Sequence, residues 1–109
     1  MVINQYQVVI VSLDPTVGSE IKKTRPCLVV SPYEMNKSLK TIVVAPMTTR
    51  IKPYPTRLSL TSSNGKVGQA AIDQIRTVDK KRILKIAGKI SEKEIEDCKK
   101  IIKEVFLDE

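Results

Sequence analysis

Short runs of β-branched and aliphatic residues punctuate the first ninety positions: Gln7–Leu13, Cys27–Ser31, Thr41–Met47, Thr56–Leu60, Val67–Ile72 and Ile75–Val78, with a seventh candidate at Ile83–Ala87. Each is of strand length and rich in Val, Ile or Thr, so each predicts a β-strand. Turn chemistry separates them: Asp14-Pro15, Gly18-Ser19, Ser31-Pro32, Lys52-Pro53-Tyr54-Pro55, Ser62-Ser63-Asn64-Gly65 and Gly88. Asn64-Gly65 predicts a hairpin turn, because both residue types tolerate positive φ. The gaps hold no helix of about ten residues or more, and a parallel pair needs a crossover of about a dozen, so the strands pair antiparallel. Only Tyr33–Ser38 has room for a short helix. The expected fold class is mainly β (α+β): a small, strongly curved antiparallel sheet or barrel.

The period changes after Ile90. Ser91 and Glu94 form an S-x-x-E capping box. Ile95, Cys98, Ile101, Ile102, Val105 and Phe106 follow at helical spacings, on one stripe. A C-terminal amphipathic helix is expected, with its apolar face on the sheet. Its polar face is mostly acidic, which disfavours a membrane-surface role. No repeat or flexible linker interrupts the pattern, so residues 1–109 read as one domain.

Composition narrows the picture. The 109 residues are 41% hydrophobic but include only three Tyr, one Phe and no Trp, so the core is aliphatic. No apolar run approaches the roughly 20 residues of a membrane helix, and Met1 to Gln7 lacks a basic-then-apolar leader. The expectation is a soluble cytoplasmic protein with no membrane partner. Cys27 and Cys98, far apart and outside any CxxC, are expected as reduced core residues. There is no His, which removes the usual general base near neutral pH and the commonest zinc ligand. No cofactor or metal is expected.

Charge is uneven. The net charge is +7, yet residues 91–109 hold four basic and seven acidic groups, whereas residues 1–90 hold fifteen basic and five acidic, a net of +10. The sheet portion is the polycation, and such a field attracts phosphates in a salt-dependent way.

Four blocks carry the candidate chemistry: Leu13-Asp14-Pro15-Thr16-Val17-Gly18-Ser19-Glu20, Thr24-Arg25-Pro26-Cys27-Leu28-Val29-Val30-Ser31-Pro32, Val44-Ala45-Pro46-Met47-Thr48-Thr49 and Asp73-Gln74-Ile75-Arg76-Thr77-Val78-Asp79. In order and spacing they resemble the signature blocks of the MazF/PemK toxins, from about Gln7 to the end of the helix. The resemblance implies a compact curved sheet with a C-terminal helix, related to the CcdB toxin. It also implies a ribosome-independent endoribonuclease of a type II toxin–antitoxin system that cuts single-stranded RNA at short sequences. A homodimer with the RNA groove across its interface and a labile, acidic MazE-like antitoxin are the implied partners.

The residues suit that chemistry. RNA is cleaved without a metal when the neighbouring 2′-OH attacks its own phosphodiester, leaving a 2′,3′-cyclic phosphate and a 5′-OH. Arg25, at the mouth of a strand beside Pro26, offers a planar fork of donors to phosphate oxygens. Thr48, at the end of a strand, offers a hydroxyl to the scissile phosphate, and the resemblance points to Arg25 and Thr48 as the catalytic pair. Thr49 and Arg50 supply further donors to RNA. In the resemblance the Asp14–Lys23 loop covers the RNA groove, with Ser19 and Glu20 toward bases and Lys22 and Lys23 toward phosphates. Asp73, Gln74 and Arg76 are further candidate RNA contacts, Gln74 to a base edge and Arg76 to a phosphate, with the alternative that the block is structural and Asp73 merely holds Arg76 in place. Lys80-Lys81-Arg82 reads as a solvated turn. Some relatives place His at the position of Ser19, Arg at that of Ala71, and an Asp base at that of Asp73. The first two are missing here, which argues against an Asp-centred mechanism. Two other classes stay open: a CcdB-like protein that poisons DNA gyrase by docking, and a passive single-stranded RNA binder.

Overall fold

The computed structural model describes residues 1–108. All seven expected strands form: β1 Gln7–Ser12, β2 Thr24–Val29, β3 Thr41–Thr48, β4 Arg57–Thr61, β5 Val67–Ala71, β6 Arg76–Asp79 and β7 Ile83–Lys89. They make one antiparallel sheet in the order β4-β5-β3-β2-β1-β7, with β6 pairing β3 beside β5. The sheet curls but does not close, so the barrel alternative gives way to an open sheet edged by β4 and β7. The short helix α1, Tyr33–Ser38, and the C-terminal helix α2, Glu92–Ile102, complete the fold.

Strand alternation divides the core in two. Val9 and Val11 of β1, Cys27 and Val29 of β2, and Ile42 and Val44 of β3 face one side, where Ile3, Leu13, Val78 and Ile83 join them. Leu28 and Ala45 face the other, against Leu58, Leu60, Ala70, Ile72 and the α2 residue Cys98. Both cysteines are free and buried, as expected. A buried polar knot pins the N-terminal segment: Asn36 donates to the carbonyls of Ile3 (3.1 Å) and Ser31 (3.0 Å) and accepts from the Ser31 hydroxyl. Every polar group is thereby paired, which is what makes its burial tolerable.

Local signals mostly hold, with three corrections. Strand β2 starts at Thr24, so Arg25 lies inside a strand rather than at its mouth. In the β4–β5 hairpin only Gly65 takes positive φ (83°), while Asn64 stays negative and its side chain accepts from the Lys66 N–H (3.2 Å). Helix α2 continues into a π-helical turn, Lys103–Leu107. The wider turn shifts the phase of the apolar stripe, leaving Phe106 exposed while Ile95, Ile101 and Ile102 pack on the sheet.

The capping box of α2 is complete. The Ser91 hydroxyl accepts from the Glu94 N–H (3.2 Å), and Glu94 accepts from the Ser91 N–H (2.9 Å). The other Glu94 oxygen accepts from the Thr61 N–H (2.8 Å), which ties the helix start to the end of β4. Burial alone would raise the Glu94 pKa, but these N–H donors hold it below the usual carboxylate value. The depressed value means this contribution is present above about pH 4.3, the unfolded value, and is lost as pH falls through the folded one. Urea denaturation between pH 6 and pH 3 should therefore show a falling midpoint, shallower in Glu94→Gln. At neutral pH, Ser91→Ala should cost about 1 kcal/mol in the same assay.

Candidate functional site

The site begins where two neighbouring strands separate. β2 and β3 pair over Cys27↔Pro46, Leu28↔Ala45 and Val29↔Val44. The next rung would set Pro26 against Met47, but Pro26 has no N–H with which to extend the ladder. Beyond that point β2 stays with β1, setting Arg25 opposite Val11, while β3 turns to β5, setting Thr48 opposite Gln69. Arg25 and Thr48 thus occupy the two arms of a fork. A cleft of about 510 Å³ opens there, with both residues in its wall, together with Thr49. Val8, Met47, Leu60 and Ile90 give it an apolar floor, and Lys66 of the hairpin and Lys89 of β7 stand at its other sides.

Arg25 is half-buried. Its Nε donates to the Lys22 carbonyl (3.0 Å), which aims the guanidinium and leaves its terminal amino groups without a partner among the described residues. The Thr48 Oγ1 accepts from the Arg50 N–H (3.1 Å), leaving the hydroxyl proton free to be donated. Neither Arg25, Lys66 nor Lys89 is in an ion pair among the described residues. Glu94 is the one carboxylate in the wall, and both its oxygens are engaged as described. The Cys27 thiol lies beside Arg25 in sequence, but burial pushes its pKa up to about 12, so it stays protonated and unreactive at neutral pH.

A second cleft, about 390 Å³, is lined by Ser19, Glu20, Ile21, Pro46, Asp73, Gln74, Ile75 and Arg76. It shares no lining residue with the first. Of the expected RNA-contacting residues, Thr49 lines the first cleft and Ser19, Glu20, Asp73, Gln74 and Arg76 line the second. Lys22, Lys23 and Arg50 are exposed and line neither. Much of the second group is engaged in holding the 13–23 loop. Gln74 Oε1 accepts from the Ile21 N–H (2.8 Å), Arg76 donates to the Leu13 carbonyl (3.2 Å), and Glu20 accepts from the Val17 N–H.

Asp73 does not pair with Arg76. Its carboxylate accepts from Arg57 Nε (2.8 Å) and Nη2 (3.3 Å) and from the Thr56 hydroxyl (2.9 Å). Burial would raise its pKa, but these donors hold it below the usual value, so it remains an occupied carboxylate. Nor is Arg82 part of a solvated turn: it donates to the carbonyls of Ser12 (3.2 Å) and Asp14 (2.6 Å). Sequence reasoning missed Arg57, Lys66, Gln69 and Lys89. Of these only Gln69 had a visible signal, as the sole polar side chain in Val-Gly-Gln-Ala-Ala.

Residues 4–106 match the family described as PemK-like, MazF-like toxin of type II toxin-antitoxin system. The chain is 37% identical over 68 residues to the endoribonuclease toxin MazF of Escherichia coli K12, a match spanning 62% of this chain and 60% of that protein. It is 32% identical over 102 residues to endoribonuclease MazF9 of Mycobacterium tuberculosis, spanning 85% of this chain and 86% of that one. In fold it resembles MazF from Deinococcus radiodurans, with a TM-score of 0.85 at 24% identity over 96% of both chains. It also resembles a mycobacterial endoribonuclease in complex with its cognate antitoxin, with a TM-score of 0.79 at 20% identity over 94% of this chain and 92% of that one.

One backbone approach fixes the Thr48 arm. A Cβ on Gly68 would lie 3.0 Å from the Thr48 carbonyl oxygen, tighter than a side-chain carbon ordinarily sits, so glycine at 68 lets β5 pass this close without the backbone giving way. Gly68→Ala should force the two strands apart and cost about 1–3 kcal/mol in urea denaturation. In amide NMR spectra the Thr48 and Arg50 signals should shift while those of α1 stay in place.

Proposed function

The chain belongs to the PemK-like, MazF-like toxin family of type II toxin–antitoxin systems, and from that premise we propose that it is a sequence-specific, metal- and ribosome-independent endoribonuclease acting on single-stranded RNA. The observation that carries this reading is the proline fork. It brings a guanidinium and a hydroxyl from separate strands into one cleft, where, among the described residues, two further lysines stand outside any ion pair and the one lining carboxylate is occupied. Such a cleft favours an anion, and it suits the extra negative charge of a phosphorane.

In this reading the RNA 2′-oxygen attacks the adjacent phosphorus, the bond from phosphorus to the 5′-oxygen breaks, and a 2′,3′-cyclic phosphate is left. Arg25 holds the non-bridging oxygens as their charge grows, and the Thr48 hydroxyl donates to the same phosphate. The lining side chains offer neither imidazole nor an unengaged carboxylate, so the 2′-OH proton passes to a phosphate oxygen or water and another proton reaches the departing 5′-oxygen. Lys66 and Lys89 hold the flanking phosphates. Ser19, Glu20, Lys22, Lys23, Thr49, Arg50, Gln74 and Arg76 remain the candidate contacts to the rest of the RNA.

The family premise supports two partners: a second copy of the chain, forming a homodimer, and an acidic MazE-like antitoxin that competes for the cationic surface. MazE–MazF complexes of Deinococcus radiodurans are among the structures that share the fold. A cytoplasmic setting fits both. Among the described residues no helix is long and apolar enough to cross a membrane.

Incubation with a long single-stranded RNA in EDTA should give discrete cuts with 5′-OH ends. Arg25→Ala and Thr48→Val should each reduce the rate by roughly 100-fold or more. Intact RNA from a folded wild type, with inhibition of gyrase, would replace this reading by the docking one. Lys66→Ala and Lys89→Ala should each weaken RNA binding and lower the slope of log K against log salt by about 0.7, with cleavage at saturating RNA preserved.

A further inference from the structure

Resting on the ribonuclease reading above, we propose that Gln69 is a positioning residue: its side-chain amide clamps the segment after β3 and thereby aims the Thr48 hydroxyl. Gln69 sits on β5 directly opposite Thr48, is only 6% exposed, and lines the same cleft. Its Oε1 accepts from the Lys52 N–H and its Nε2 donates to the Lys52 carbonyl, both at 3.0 Å. One side chain thus does what a neighbouring strand would do for a residue in a ladder. Among the described residues these are the only hydrogen bonds from Ile51, Lys52 or Pro53 to the rest of the protein.

The link to Thr48 is short. Thr48 Oγ1 accepts from the Arg50 N–H, so the place of Arg50 decides which way the hydroxyl proton points. Arg50 lies between the β3 end, held close by Gly68, and Lys52, held by Gln69. Burying an amide costs free energy unless it is fully paired, and the adjacent β5 residues Gly68, Ala70 and Ala71 are small. A polar side chain in that strand is explained by the two bonds it makes to Lys52.

Gln69→Leu removes both bonds while keeping much of the side-chain volume. With substrate contacts from Arg25, Lys66 and Lys89 intact, kcat should fall at least about tenfold, since small misplacements at a reacting centre are costly, with KM within about twofold. Gln69→Glu gives a readout that a general packing role would not move. Ionised, its carboxylate still accepts from the Lys52 N–H but turns a second acceptor on the Lys52 carbonyl; protonated, it donates there and restores the clamp. Its kcat relative to wild type should therefore climb toward one as pH falls through the new carboxyl's pKa, whereas the Gln69→Leu ratio stays flat. Arg25, Lys66, Lys89 and Glu94, the charged groups lining the same cleft, are common to all three proteins, so their direct titration largely cancels in these ratios. Recovery within one protein also separates lost positioning from failure to fold. A Gln69→Leu kcat within twofold of wild type, a loss confined to KM, or a flat Gln69→Glu ratio would overturn the proposal. A wild type that leaves RNA intact would remove the ribonuclease reading and this role together, whereas wild-type cleavage beside an unaffected Gln69→Leu would remove the clamp's role alone.

Discussion

Proline at position 26 leaves β2 without the N–H that would carry its ladder with β3 past Cys27 and Pro46. A sheet that loses a ladder inside its body, not at its edge, must part there, and the parted strands must find other neighbours. β2 keeps β1 and β3 finds β5, so both arms of the fork remain hydrogen-bonded on one side. The gap between them is therefore walled by paired strands and yet carries backbone and side chains unclaimed by the sheet. Arg25 and Thr48 are functional candidates because of this break: in a continuous ladder they would be ordinary strand residues.

The electrostatics follow from how the carboxylates are used. The sheet portion has only five acidic residues against fifteen basic. Asp73 is taken up by Arg57 and Thr56, and Glu20 by the backbone of its own loop. On α2, Asp97 pairs with Lys93 (3.0 Å) and Glu96 with Lys99 (3.5 Å), exposed contacts worth little to stability but enough to keep these acids on the helix surface. Glu94 is spent on the capping box and on Thr61. Among the described residues the positive charge at the fork is left largely unanswered, so an anionic partner has something to neutralise.

Much of this fold was legible as local pattern. Seven alternating or β-branched runs, one S-x-x-E and one short helical gap each became the element expected of them, because each is decided within about ten residues. The errors arose where distant parts decide. Arg57 reaches Asp73 across 16 positions, and no spacing rule could prefer it to Arg76, which lies three away. The π-helical turn that exposes Phe106 departs from the period on which the apolar stripe was read. The fork itself could not be read, although Pro26 was in plain view, because only the β2–β3 register shows that it falls on a rung that needs its N–H. For the same reason the residues expected to contact RNA, read as a single set, are spread over two clefts, with Lys22, Lys23 and Arg50 in neither.

The two clefts are not independent. The 13–23 loop is held from four directions: by Gln74 at Ile21, by Arg76 at Leu13, by Arg82 at Ser12 and Asp14, and by Arg25 at Lys22. The last bond joins the clefts. Ser19 and Glu20 wall the second cleft, and a few residues on, the Lys22 carbonyl fixes the Nε of the guanidinium that reaches into the first. The two clefts share no lining residue, but the loop that shapes one also aims the principal cation of the other. On the ribonuclease reading, base recognition and phosphate chemistry would then meet at a single hydrogen bond. On the same reading the Arg25 arm is set by this loop and the Thr48 arm by Gln69 and Gly68, so each half of the proposed catalytic pair would be aimed by residues that need not touch the RNA themselves.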